Sequence, residues 1–207
     1  MELTECKPFN PVVYTNRTDE QIVEMAKSNK QCYMCLMQRY EDKIQRYVLR
    51  ISGVSQETAE DIVQDIFLKV YINLNDFNSE LKFSSWIYRI AHNETINYWR
   101  RNKKRKSLKV SWDDNEALKN IIKDEYNTEQ EVYQKINNEV LLESIGELDD
   151  KYRTVIMLNY LEGKSYQEIS EILKKPIGTV GTLLNRAKKI LIKKLKDKGI
   201  KLNVAVR

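Results

Sequence analysis

Hydrophobic residues recur along the chain at intervals of three and four positions, the spacing that places them on one face of an α-helix. No segment shows the sustained alternation of a half-buried β-strand, and the chain has only three prolines and six glycines. The pattern therefore predicts an all-α protein. We expect helices at about 18–28, 32–52, 56–74, 83–105, 129–146, 149–162, 166–174 and 178–197.

The stretch 107–128 lacks this periodicity and separates the predicted helices into two groups. A chain of 207 residues with 42% apolar content can form two modest hydrophobic cores. We therefore predict two small helical domains, 15–106 and 129–200, joined by a linker at 107–128. The chain turns acidic in and after this linker, from Asp113 to Asp150.

Positive charge is concentrated in two blocks, although the formal net charge is only +5. One block spans residues 100–109 and the other spans residues 186–198, with a single acid in the second. Two basic blocks on either side of an acidic connector suggest a polyanion bound at two places. Charge runs are also typical of solvated helix faces, so the interpretation depends on motifs.

A helix-turn-helix is predicted near the C-terminus. Ser165–Glu168 forms a capping box that begins a short helix, and Pro176 ends it. The next helix has an apolar stripe at Val180, Leu184, Ala187 and Leu191. Its other side carries the residues expected to face the DNA major groove: Thr179, Thr182, Asn185, Arg186 and Lys189. A plain αα-hairpin in a helical bundle is the alternative.

The helix around residues 59–71 has one buried and one polar side. Its predicted core residues are Ile62, Val63, Ile66, Phe67 and Val70. Asp61, Gln64 and Asp65 lie together on the other side and fit a basic or mixed-charge partner helix. The same pattern is typical of a solvated face, so both interpretations stay open.

The following helix is rich in aromatic, amide and basic residues. Trp86, Ile87 and Ile90 are predicted core residues, and the spacing of a second set favours contact with a nucleic-acid strand: Asn93, Asn97, Arg100 and Lys104. Tyr98 and Trp99 lie beside the basic block and can either stack on unpaired bases or pack inward.

Taken together, these segments resemble the extracytoplasmic-function (ECF) sigma factors of bacterial RNA polymerase over about residues 18–197. Glu60–Phe67 (EDIVQDIF) is similar to region 2.2 of that family. Phe83–Asn93 (FSSWIYRIAHN), followed by Tyr98–Arg101 (YWRR), is similar to regions 2.3 and 2.4. Glu162–Ile169 (EGKSYQEI) and Pro176–Val180 (PIGTV), ending in Asn185–Ala187 (NRA), are similar to region 4.

The resemblance implies a sigma factor that binds core RNA polymerase, recognises promoter DNA and promotes its melting. It assigns polymerase binding to the face bearing Asp61, Gln64 and Asp65. It assigns capture of a flipped minus-10 base to the Phe77–Ser79 loop and the following helix, where the candidates are Phe77, Asn78, Asn93, Asn97, Trp99, Arg100, Arg101 and Lys104. The minus-35 candidates are Lys175, Thr179, Thr182, Leu183, Asn185, Arg186 and Lys189.

One departure from the family lies in the recognition helix. Gly181-Thr182-Leu183 stands where family members usually carry Lys-Ser-Arg, so two cations are missing. Each lost phosphate contact should weaken DNA binding and reduce its salt dependence by a slope of about 0.9. Leu183 has the apolar character to contact a thymine methyl group instead.

Other classes of function find little support. The start of the chain lacks a signal-peptide pattern, so we expect a cytoplasmic protein with free thiols at Cys6, Cys32 and Cys35. Cys32 and Cys35 are expected to be small buried side chains, with an oxidation-sensitive pair and a metal site as alternatives. We expect no cofactor, no metal and no catalytic activity, because no phosphate loop and no nucleophile with a matched base is present.

Three functional interpretations are compared. The sigma factor uses every motif, and an anti-sigma protein is a further candidate partner for it. A stand-alone DNA-binding regulator leaves the Asp61 face and the aromatic helix without a role. A helical adaptor without nucleic-acid binding leaves both basic blocks unexplained.

Overall fold

The protein is described by a computed structural model over residues 16–103 and 140–200. Within these ranges the secondary structure is entirely helical, which confirms the all-α prediction. Seven of the helices have bounds at Asp19–Ser28 (α1), Tyr33–Ser52 (α2), Gln56–Ile72 (α3), Phe83–Lys103 (α4), Asp150–Ile156 (α6), Tyr166–Leu173 (α7) and Ile177–Asp197 (α8). An eighth, α5, is described over 140–146.

Local capping chemistry begins the N-terminal helices. Thr18 forms a capping box with Gln21 at the start of α1, and the Ser55 hydroxyl accepts a hydrogen bond from the amide of Thr58 at the start of α3. Gly53 ends α2 in the left-handed region, with a φ of 65°, which glycine adopts without steric cost. These three helix boundaries are therefore encoded close to where they occur.

Helices α1–α4 form an N-terminal body around a shared core. Helix α4 packs against both α2 and α3. The predicted core residues of α3 are all buried, as are Trp86 and Ile87 of α4, and Ile90 packs against the core while partly exposed. This confirms the assignment of the inner faces of α3 and α4.

Helices α5–α8 form a C-terminal body that contains the predicted helix-turn-helix. Ser165 and Glu168 form the predicted capping box at the start of α7. Lys174 ends α7 in the left-handed conformation, with a φ of 53°, and Pro176 immediately precedes α8. Helix α8 packs against both α6 and α7. The two helices of the motif and the turn between them are therefore present as predicted.

The segment predicted as one helix over 149–162 changes character midway. After α6 the backbone forms a π-helical turn over Met157–Leu161, in which hydrogen bonds span five residues instead of four. The amide of Glu162 donates to the carbonyl of Met157 at 3.0 Å, and Gly163 follows with a φ of 61°. The chain thus turns sharply before the helix-turn-helix begins.

The two bodies lie against each other, mainly through α4 and α7. The predicted linker at 107–128 and most of the helix predicted at 129–146 lie outside the described residues. The predicted domain limits at 15, 106 and 129 lie there as well, and they stay predictions. Among the residues described, none of the helices combines the length and hydrophobicity that a membrane-spanning helix requires.

Candidate polymerase and nucleic-acid interfaces

The outer face of α3 is exposed along its whole length. Asp61, Gln64 and Asp65 are all exposed, as their spacing predicts. Leu68 and Ile72 continue the same stripe, with exposed fractions of 57% and 65%. These two side chains were not predicted as part of this face, although their spacing from Asp61 and Asp65 places them on it. The surface therefore combines carboxylates with exposed apolar side chains. This combination is more typical of a protein-binding surface than of one that contacts only solvent.

The predicted minus-10 face of α4 is divided between exposed and half-buried residues. Asn93, Arg100 and Arg101 are exposed, and Asn97 and Trp99 are half-buried. They share a helix but do not all lie on one side, since Arg101 is one position beyond Arg100. Tyr98 packs against the core while remaining partly exposed. Lys104 lies outside the described residues.

The loop before α4 places its two candidate residues in different environments. The ring of Phe77 is 3% exposed and packs against Phe83 and Trp86, with ring centroids 5.7 and 5.2 Å away. Asn78 is exposed, and its side-chain oxygen accepts a hydrogen bond from the amide of Glu80 at 3.0 Å. The Phe77 ring is thus a core side chain in this structure, and of these two candidates only Asn78 has an exposed side chain.

The recognition helix separates its buried and exposed sides as predicted. Val180, Leu184 and Ala187 are fully buried, and Leu191 packs against the core while partly exposed. The groove-facing candidates are exposed along the opposite side: Thr179, Thr182, Asn185, Arg186 and Lys189. Lys175 is exposed in the turn, whereas Leu183 is half-buried and packs against the core.

Ser170 fastens the turn that connects α7 to α8. Its hydroxyl donates to the carbonyl of Lys175 at 2.6 Å, and its own carbonyl accepts from the amide of Lys175 at 3.1 Å. The two bonds close the turn on both sides of Lys174, whose left-handed conformation is uncommon for a residue with a Cβ atom. No sequence motif singled out Ser170, because a serine near the end of a helix is common.

A cleft of about 320 Å³ lies between the two bodies, and both predicted DNA-binding elements line it. Ile96, Trp99 and Arg100 of α4 face it from the N-terminal body. Lys175 and Leu183 face it from the C-terminal body. The structure therefore brings parts of the predicted minus-10 and minus-35 sites together, which the sequence did not predict.

His92 also lines this cleft. Its Nδ1 is 3.1 Å from the hydroxyl of Tyr47, a hydrogen bond whose direction depends on the tautomer. Burial, together with the positive charges of Arg100 and Lys175, lowers the pKa of His92 to about 4. The imidazole is therefore neutral at physiological pH and serves as a partly buried polar group in the wall of the cleft.

Direct polar contacts also join the two bodies. Glu162 accepts hydrogen bonds from Arg50 at 3.1 Å and from the Tyr88 hydroxyl at 2.7 Å, and its negative charge and this bond add to burial in raising the pKa of Tyr88. Lys82 contacts Glu168 at 3.3 Å. Sequence analysis placed Glu162 only within the region 4 motif and gave it no partner.

Cys32 and Cys35 are buried, at 1% and 7% exposure, as the sequence predicts for small core side chains. Within the described ranges, no group of three or more histidine, cysteine or acidic residues is arranged to hold a metal ion. Cys6 lies outside those ranges.

Two sequence families match the chain in the order of its bodies. Sigma-70 region 2 matches residues 36–105, and Sigma-70, region 4 matches residues 138–191. The first covers α2–α4 and the second covers α5 through most of α8. A protein with both regions is neither a stand-alone helix-turn-helix regulator nor a general helical adaptor, so those two alternatives are excluded.

Similar proteins of known function cover nearly the whole chain. The ECF RNA polymerase sigma factor SigW of Bacillus subtilis is 36% identical over 181 residues, which is 86% of this chain and 96% of that protein. The ECF RNA polymerase sigma-E factor of Haemophilus influenzae is 30% identical over 182 residues, 86% of this chain and 95% of its own length.

Solved structures share the fold. CnrH, in complex with the cytosolic domain of CnrY, has a TM-score of 0.64 and 21% identity, and the match covers 87% of this chain and 99% of CnrH. The sigma factor RpoE of Bartonella quintana, in complex with the anti-sigma factor NepR, has a TM-score of 0.58 and 19% identity, covering 77% and 94% of the two chains. With both sigma regions in order and relatives of 30% identity or more along most of its length, the chain belongs to the ECF sigma factors of bacterial RNA polymerase.

Proposed function

We propose that this sigma factor divides its work among three exposed faces: α3 binds core RNA polymerase, α4 and the preceding loop engage the minus-10 element, and α8 reads the minus-35 element. The observation that carries the proposal is the separation of the faces. The α3 face is acidic and apolar, whereas the outer sides of α4 and α8 carry amides and cations. One chain thus offers a protein-binding surface and two nucleic-acid-binding surfaces.

The α3 face is suited to a helical partner on the large polymerase subunits. Asp61 and Asp65 supply negative charge that steers a basic partner, and Leu68 and Ile72 supply apolar area that is exposed in the free chain. Burying such side chains at an interface stabilises the complex by roughly 25 cal/mol for each Å² of apolar surface removed from water. Charge and apolar contact thus lie on the same stripe.

On α4, amides and aromatic side chains provide the chemistry for melted DNA. Asn93 and Asn78 present exposed amides that can hydrogen-bond the edge of an unpaired base. Trp99 offers a ring for stacking, and Arg100 and Arg101 offer cations for phosphates. On α8, Asn185 and the cations flanking it are suited to base edges and phosphates in duplex DNA.

Leu183 contributes less to DNA reading than its sequence position suggests. It is half-buried and packs against the core, so only part of its side chain is available to a thymine methyl group. Together with Gly181, it leaves the first turns of α8 without the cations usual in the family. We propose a minus-35 contact carried mainly by Arg186, Lys189 and the exposed polar residues, with a correspondingly shallow salt dependence.

The remaining expectations follow from the role in initiation. We propose that the chain acts in the cytoplasm, where RNA polymerase transcribes, and that it has no catalytic site of its own, because polymerase supplies the chemistry. CnrH and RpoE form complexes with CnrY and the anti-sigma factor NepR, respectively. We propose an anti-sigma protein as a partner of this chain as well.

Binding to purified core polymerase, and transcription from a promoter that depends on this chain, test the polymerase assignment. The double variant Asp61→Asn, Asp65→Asn should raise the Kd for core about tenfold or more, since it removes two charges from the face. Asp42→Asn, an exposed aspartate on α2, is the matched control and should have no effect. Equal loss in both variants would contradict the assignment to α3.

The minus-10 assignment is tested separately. Asn93→Ala should reduce open-complex formation while leaving the affinity for core unchanged, because the side chain is exposed on α4 and distant in sequence from the α3 face. Gln38→Ala removes an exposed amide from α2 and serves as the control. If Asn93→Ala weakened core binding as much as melting, its proposed role would be wrong.

A further inference from the structure

Glu162 is an unusually buried carboxylate for a residue in a connecting turn. Its side chain is 6% exposed, although acidic residues in turns normally face water. It follows directly on the π-helical turn Met157–Leu161 and precedes Gly163, whose positive φ lets the chain reverse. The C-terminal body therefore uses two backbone irregularities around this one side chain.

Arg50 and Tyr88, which donate to the Glu162 carboxylate, both belong to the other body. Arg50, near the end of α2, has a side chain only 10% exposed and donates from Nη1 to Oε1 at 3.1 Å. The hydroxyl of Tyr88, on α4, donates to Oε2 at 2.7 Å. Each carboxylate oxygen thus has a donor, which is the condition under which a buried charge is tolerated.

The neighbouring residues extend the contact. The amine of Lys164 lies 4.3 Å from the centroid of the Tyr88 ring, a cation–π distance. Two positions into α7, Glu168 contacts Lys82 at 3.3 Å. Residues 162–168 thus supply a compact set of polar contacts to α2, α4 and the residue that precedes α4, all of which are lost if the bodies separate.

This contact is incompatible with simultaneous binding of both promoter elements. The names minus-10 and minus-35 place the elements about 25 base pairs apart, or about 85 Å along B-form DNA at 3.4 Å per pair. In the structure, Trp99 and Arg100 face Lys175 and Leu183 across a single cleft of about 320 Å³. The bodies must therefore move apart before each reaches its own element.

We propose that Glu162 is a latch that holds the free chain closed, with Trp99 and Arg100 of α4 held across the cleft from Lys175 and Leu183, until polymerase and promoter separate the bodies. The proposal rests on the assignment of α4 and α8 to the two elements. The physical basis is the asymmetry of a buried ion pair. Such a pair adds little net stability compared with apolar contacts, but loss of one partner leaves the other charge buried without compensation. The latch is therefore selective for one closed arrangement and sensitive to single substitutions.

The test compares the full chain with Glu162→Gln, which keeps the shape of the side chain and removes its charge. The free variant should have a larger radius of gyration by small-angle X-ray scattering. It should also bind a single-stranded minus-10 oligonucleotide about tenfold more tightly, because less free energy is needed to open it. Glu171→Gln is the matched control, since Glu171 lies on α7 and accepts a hydrogen bond from Gln167 of the same helix. It should behave like the wild type.

A milder variant provides a second test in case Glu162→Gln does not fold. Tyr88→Phe removes only the hydroxyl that donates to Glu162, and it should open the chain in the same direction by a smaller factor. Far-ultraviolet circular dichroism establishes that each variant is folded. If folded Glu162→Gln and Tyr88→Phe both match the wild type in radius of gyration and oligonucleotide affinity, the latch does not exist.

Transcription with saturating core polymerase separates this proposal from the assignment of function. Wild type and Glu162→Gln should initiate equally well there, because polymerase supports the open form in both. A wild-type chain that failed to bind core or promoter would overturn the proposed function. A functional wild type together with an unchanged free variant would overturn the latch alone.

Discussion

Acidification should weaken the fold through His92, the one histidine of the chain. In the folded protein its pKa is lowered from 6.5 to about 4 by burial and by the nearby charges of Arg100 and Lys175. The unfolded chain has no such environment, so its imidazole takes up a proton near pH 6.5. Between these values the unfolded state binds more protons than the folded state, and the free energy of unfolding falls as the pH is lowered.

The size of the effect follows from the two pKa values. Each unit of difference corresponds to about 1.4 kcal/mol, so the full loss is about 3 kcal/mol once the pH is below both values. At pH 5, where the unfolded imidazole is charged and the folded one is still neutral, the loss relative to pH 7.5 is about 2 kcal/mol. This is a large share of the 5–15 kcal/mol typical of a folded domain.

Urea unfolding at pH 7.5 and pH 5.0 measures this loss directly, and His92→Gln provides the comparison. Glutamine keeps a polar group near Tyr47 but does not titrate, so the variant should lose about 2 kcal/mol less than the wild type on acidification. Carboxylates with lowered pKa values, such as Glu147 and Glu168, titrate in both proteins, and their contribution cancels in the difference. Proton NMR follows the single imidazole separately.

Two results would refute this reasoning. One is an imidazole in the folded protein that titrates near 6.5, which would mean that burial and the neighbouring cations do not disfavour its charge. The other is an identical loss of stability in wild type and His92→Gln, which would assign the acid sensitivity to carboxylates instead.

Three further substitutions change local backbone energetics, and urea unfolding measures each. Gly181→Ala should stabilise the protein by up to about 1 kcal/mol, because the glycine is inside α8 and a Cβ would meet only the ring of Tyr166 at 3.8 Å. A lower free energy of unfolding in this variant would mean that the space beside Gly181 is filled. Lys174→Gly should also stabilise by about 1 kcal/mol by relieving the left-handed conformation, and no gain would show that the turn is unstrained. Ser165→Ala should destabilise by about 1 kcal/mol because the amide of Glu168 loses its acceptor, and an unchanged midpoint would contradict the role of the capping box.

Much of the fold could be predicted because its signals are local. The capping box at Ser165, the proline at Pro176 and the apolar stripe of α8 each act within one or two helical turns, and the structure contains all three. The inner face of α3 was predictable for the same reason, since helical periodicity alone decides which residues share a side.

The features that escaped prediction depend on contacts distant in sequence. Glu162 looks like an ordinary turn residue until Arg50 and Tyr88, from 112 and 74 positions away, surround it. The family resemblance assigned Phe77 to base capture, but Phe83 and Trp86 of α4 pack against its ring. Periodicity carries no information about which helix faces which, so neither contact could be read from one sequence.

The two hydrogen bonds between Ser170 and Lys175 affect how the helix-turn-helix recognises its site. Because the turn is fastened within the folded chain, the angle between α7 and α8 is already set when the protein meets duplex DNA. The entropy of ordering that corner has been lost in folding and need not be lost again on association. Preorganisation of this kind offers a reading helix whose first turns lack cations a source of affinity that does not depend on ionic strength.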